Sequence, residues 1–190
     1  VLTFPAAVRA GFSATDPDES AGHSPEVVMA GLKAWLENTE HKNGVMQDRD
    51  DGRVEDCGVM RAVNEMLLQA PNDGSFIELF PFFPANESAS FTTLRAKGGW
   101  LVTASKAAAT AAELAGGGSG AVSGVEVTAT VDGTARLVDP WAASSQLAAV
   151  ACTPAPAAPA VSRVSAGGRS GLLGCAMKAG QTCSVRRSPE

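Results

Sequence analysis

No stretch of these 190 residues approaches the roughly 18–20 consecutive apolar side chains that a membrane-spanning helix needs, so a membrane partner is not expected. Basic residues are also scarce. Fifteen Lys and Arg stand against 20 Asp and Glu, giving a net charge of -5 and a pI near 5.1. A nucleic-acid partner requires a basic face and is not expected either. Cys57, Cys152, Cys175 and Cys183 are widely spread with no C-x-x-C pair, which argues against a zinc site. Buried free thiols are the plain reading of them, and one disulfide among the last three is the alternative if the chain is secreted. The two histidines, His23 and His41, lie in polar stretches and are not read as catalytic. There is no signal-peptide pattern, and the start at Val1 reads as a fragment or a processed product. What the chain does have is 45% hydrophobic residues, enough for a packed core, and a length for one domain or one domain and part of another.

Two helices are expected early. In "SPEVVMAGLKAWLE" (24 to 37), Ser24 suits the N-cap, Pro25 the first position, and Val28, Met29, Leu32, Trp35 and Leu36 form an apolar stripe. "NG" at Asn43 and Gly44 then turns the chain. In "GRVEDCGVMRAVNEMLLQ" (52 to 69), Val59, Met60, Val63, Met66 and Leu67 share one face from residue 58 on. Pro71 and "NDG" (72 to 74) end that helix. Neither stripe can make a core alone, so both helices must pack on something else. Between them, "DRDDG" (48 to 52) has its glycine and terminal acid misplaced for a calcium loop and reads as a solvated acidic loop.

After residue 74 the pattern alternates. "SFIELF" (75 to 80), "FTTLRA" (91 to 96), "GWLVTAS" (99 to 105), "VEVTATV" (125 to 131) and "ARLV" (135 to 138) read as strands, the last two joined by a "DG" hairpin turn. "GLLGCAM" (171 to 177) and "TCSVRR" (182 to 187) complete an expected antiparallel sandwich. Two low-complexity stretches interrupt it, one at 107–121 as an enlarged hairpin loop, the other within 142–170. Trp100 and Trp141 read as sandwich core rather than sugar-stacking platforms.

"NEMLLQAPNDGSFIELFPFFP" followed by "FTTLRAKGGWLVTAS" resembles the end of the catalytic region of glycoside hydrolase family 95, the α-L-fucosidase and α-L-galactosidase type, or a related branch. "FPAAVRAGF" (4 to 12), "VDPW" (138 to 141) and "KAGQTCSV" (178 to 185) resemble further segments of that branch. The resemblance implies an α+β chain: residues 1–72 as the terminal helices of an (α/α)6 toroid and 73–188 as a C-terminal antiparallel β-sandwich. It implies a parent enzyme that hydrolyses α-linked L-fucose or a similar sugar with inversion, without cofactor or metal. The partners would be an oligosaccharide or glycan and the missing N-terminal part of the same protein, and the location secreted or extracytoplasmic.

Inverting hydrolysis needs a general acid and a base about 6.5–9.5 Å apart. The family's acid lies upstream and has no counterpart here, so the chain alone is expected to be inactive. By alignment to the related branch, Glu55 is the candidate base and Asp56 a substrate-binding neighbour; the fucosidase Asp position holds Val54. Without the resemblance, both read as acids favouring a helix start. The class-different alternative is a non-catalytic β-sandwich module that binds a partner domain or carbohydrate.

Overall fold

The computed structural model describes residues 24–39, 54–118, 120–141, 149–154, 161–166 and 169–186. The expected features at 4–12, His23, His41, 43–44 and 48–52 lie outside them. The described residues form two compact units: one holds the residues up to Leu67 plus Phe80–Ala85, the other Leu68–Leu79 and the residues from Asn86 on.

In the first unit, α1 (Pro25–Thr39) starts as the sequence dictates. The Ser24 hydroxyl accepts from the Val27 amide at 3.3 Å, and Pro25 fills the position where no amide is needed. Val28 and Leu32 are buried; the side chains of Trp35 and Leu36 lie outside the described residues. The second helix, α2 (Val54–Leu67), begins a turn earlier than its stripe suggests. Ala62 and Met66 are fully buried, whereas Met60, assigned to the same face by spacing, is 64% exposed. The two helices share a cluster of Val28, Ala62, Met66 and Phe82, with Met29 and Phe83 against it. Phe80 turns the chain toward this cluster with a left-handed backbone (φ 52). Its amide bonds the Leu67 carbonyl at 2.8 Å, and its ring meets Phe83 edge-on at 6.1 Å.

This cluster overturns the expected toroid end. A helical toroid covers each stripe with another helix, but here the cover comes from phenylalanines in an irregular segment. Helix α2 also stops at Leu67, so "MLLQ" is split and Leu68–Gln69 leaves as strand β1. The only other described helix is the five-residue α3 (Ala111–Ala115), and ten strands dominate the rest. The described chain is mostly β rather than α+β.

In the second unit, β1 pairs antiparallel with β2 (Glu78–Leu79). A five-stranded antiparallel sheet runs in the order β3 (Ala89–Ala96), β4 (Trp100–Lys106), β5 (Val122–Ala129), β10 (Thr182–Arg186), β7 (Ala149–Thr153). A three-stranded sheet holds β6 (Gly133–Val138), β9 (Arg169–Met177) and β8 (Val161–Ala166). Period-two burial is clean: Trp100, Val102 and Ala104 on β4, Val125, Val127 and Ala129 on β5, Cys183 and Val185 on β10 are all buried. Ala135 and Leu137 on β6, and Leu173, Cys175 and Met177 on β9, supply the facing residues.

The "DG" turn is not a hairpin. β5 pairs with β4 and β10, so its two edges are taken, and β6 crosses to the other sheet to pair with β9. The loop at 107–121 does bridge the paired strands β4 and β5, and it contains α3. Thr110 and Glu113 form a capping box there, and none of the α3 residues is buried. Strand β3 bulges between Phe91 and Leu94, where Thr93 adopts φ 59 and its amide bonds the Thr103 hydroxyl at 3.0 Å. A bulge at an edge strand twists it away from further pairing.

Candidate functional site

The two sequence candidates, Glu55 and Asp56, lie in the first turn of α2 rather than ahead of it. Their side chains are outside the described residues. Acidic residues suit this position because the first-turn amides carry partial positive charge.

The other motif segments build corners of the fold. In "LRAKGGW", Lys97, Gly98 and Gly99 form the β3–β4 turn. Gly98 has φ +90, and a Cβ there would stand 2.7 Å from the Trp100 indole nitrogen, so only glycine lets the turn close over the buried ring. In "VDPW", Asp139 is buried and its carboxylate accepts the Trp141 amide at 2.9 Å. The Trp141 indole N–H donates to the Val122 carbonyl at 3.0 Å, fixing the end of β6 against the start of β5. Both tryptophans are buried, at 4% and 9% exposure, and have no free face for a sugar ring.

In "KAGQTC", Gln181 is the hub. Its side-chain oxygen accepts from the Lys178 amide at 2.7 Å, and its nitrogen donates to the Pro154 carbonyl at 3.1 Å. This buried amide therefore ties the β9–β10 turn to the end of β7. The same turn is held from outside by Asp132, which accepts from Lys178 Nζ at 2.7 Å and from the Ala179 amide at 2.9 Å. Those donors hold the Asp132 carboxyl below its usual 3.8, the Lys178 contact most, and the same contact pushes Lys178 upward.

The turn delivers a sulfur cluster. Cys183 on β10 lies directly opposite Cys152 on β7, with Cα atoms 4.0 Å apart, and the two form a disulfide. Cys175 on β9 reaches across from the other sheet as a free, buried thiol, its Sγ 3.8 Å from that of Cys183. Burial pushes the Cys175 thiol above its usual 9.0, because the thiolate would lose its hydration there. All three sulfurs lie within 4.8 Å of one another. Two of them are bonded together, so the cluster as it stands offers a metal only one thiolate.

The plain reading of buried free thiols thus holds for Cys175 and fails for Cys152 and Cys183. The spacing argument missed the convergence because three elements from two sheets supply it. A signal was present, since period two places Cys175 in phase with Leu173 and Met177, and Cys183 in phase with Val185. No protein-family model matches the chain, and no curated protein is significantly similar to it.

Proposed function

We propose that the strand-rich unit is the non-catalytic β-module of a glycoside hydrolase resembling family 95. Its parent would cleave an α-linked L-sugar such as fucose with inversion. The supporting observation is that the three quoted segments, "LRAKGGW", "VDPW" and "KAGQTC", all act at seams: a turn closed over Trp100, a clamp from β6 to β5, and a glutamine hub at β7. Residues used in this way preserve a scaffold rather than carry out a reaction. The partner is the remainder of the enzyme on the same polypeptide, and the glycan is bound there.

Turnover of 4-nitrophenyl α-L-fucoside and α-L-galactoside tests the reading, comparing this chain with the protein encoded by the whole open reading frame. The chain alone should give none, and the whole protein should release the inverted sugar, detected by proton NMR. Glu55→Gln in the whole protein should lower kcat by about 10²–10⁴ if Glu55 is the base, and unchanged kcat removes it from the site. Hydrolysis by the isolated chain, or no α-L-glycoside turnover by the whole protein, would overturn the proposal.

A further inference from the structure

A free thiol 3.8 Å from one sulfur of a disulfide is an arrangement for exchange, because a disulfide is broken by attack of a thiolate on sulfur. We propose that Cys175 is an internal nucleophile and that the chain interconverts between two disulfide isomers. One is Cys152–Cys183, which joins neighbours within the five-stranded sheet. The other is Cys175–Cys183, which ties that sheet to the three-stranded one. In the forward step Cys175 gives its proton to solvent and its thiolate attacks Cys183 Sγ. The new S–S bond forms as the Cys183–Cys152 bond breaks, and Cys152 leaves as a thiolate that takes up a proton. Two electrons stay in one disulfide throughout, so no oxidant or reductant is needed.

All three sulfurs lie within 4.8 Å of one another, so Cys175 stands beside the Cys152–Cys183 bond rather than along its axis, and attack needs a rotation of its side chain into line. Cys183 Sγ is the sulfur in contact with Cys175, and attack there makes Cys152 the leaving group. Cys152 sits on the edge strand β7 and is less buried than Cys183, so of the two sulfurs it is the one that water reaches more readily as a departing thiolate. Attack on Cys152 would instead expel Cys183, which is 1% exposed and could not be hydrated. Among the described residues, Ala135 and Val161, opposite Cys175 on its own sheet, carry no ionisable side chain, and the Cys183 and Cys152 sulfurs beside it do not titrate while they are bonded to each other. The product differs chemically from the starting isomer. It presents Cys152 as a single thiol at a sheet edge, open to thiol-directed electrophiles, where the starting isomer holds its one cluster thiol inside.

The test incubates the purified, non-reduced chain between pH 7 and 8.5, traps thiols with N-ethylmaleimide, and maps labelled and disulfide-linked peptides by mass spectrometry. Expected are Cys152 labelling and a Cys175–Cys183 peptide that form together, about tenfold faster per pH unit as the thiolate fraction rises. The rate should not change on tenfold dilution, and Cys175→Ser should abolish Cys152 labelling. Labelling of Cys152 that persists in Cys175→Ser, or a rate proportional to protein concentration, would overturn the proposal. So would an intact Cys152–Cys183 bond in the wild-type chain at every pH. The dilution series needs only the wild-type chain and stands even if the variant fails to fold.

Discussion

Replacing Cys152 by alanine in a chain that already carries Cys175→Ala leaves Cys183 with no sulfur to pair with in the cluster. The comparison is with Cys175→Ala alone, because in the native chain Cys175 could take over as partner. The lost bond closes a loop of 31 residues between β7 and β10. In the chain-entropy treatment, a loop of that length restricts the unfolded chain by about 12 cal/mol/K, or about 3.7 kcal/mol at 25 °C. For a unit of this size about 4 °C accompanies each kcal/mol, so Tm should fall by roughly 15 °C. Urea unfolding followed through the buried Trp100 and Trp141 reads the same quantity. The m value should rise, since the uncrosslinked chain exposes more surface on unfolding. A loss below about 1 kcal/mol with unchanged m would refute the reasoning: the bond would then restrict nothing that the rest of the fold leaves free.

Thr93→Gly relieves a β-branched residue at φ 59. Left-handed strain of about 1–2 kcal/mol, less about 0.5–1 for glycine's extra unfolded freedom, predicts a net gain of up to about 1.5 kcal/mol; a lower urea midpoint would contradict it. The Asp132–Lys178 pair should give a two-sided pH signature in the stability difference between wild type and Asp132→Asn. Asp132 is lowered in the folded state, so its contribution is present above pH 3.8 and is lost as pH falls through the folded value. Lys178 is raised, so its contribution is present below pH 10.5 and is lost as pH rises through the folded value. The midpoint difference should be level between about pH 5 and 9 and shrink at both ends; a difference constant down to pH 2.5 would sink this account.

What the sequence made legible was local. The cap at Ser24, the stripes of α1 and α2 and the alternation of β4, β5 and β10 all follow from side-chain period and turn chemistry within a few residues. The "DG" turn misled because a dipeptide reports the bend and not the sheet that the next strand will join. That choice was made by β10, whose Thr182 pairs with Thr128, 54 positions earlier. Strand β7 is hidden because "AVACT" has little alternating contrast, and β8 because "VSRVSA" spaces its two valines three apart rather than two. The toroid expectation failed at the cover of the two helices: "PFFP" (81 to 84) has no helical period, and nothing local shows that its phenylalanines close over α1 and α2. The sulfur cluster was half legible: phase put Cys175 and Cys183 inward, but nothing local could say that their sheets face each other.

The helices' dependence on Phe82 and Phe83 has a consequence for biosynthesis. A chain made from its N-terminus completes α1 and α2 by Leu67, but the residues that close their shared cluster follow up to 16 positions later. At ribosomal speeds of about 5–20 residues per second, that gap lasts about 1–3 seconds, whereas a helix forms within about a microsecond. For that interval Val28, Ala62 and Met66 on the two helical segments have no cover, so helices of this length are marginal, and β1 and β2 emerge before the cover arrives. Order of synthesis and order of completion therefore differ: the first unit to be translated has to wait for a segment that lies beyond the start of the second.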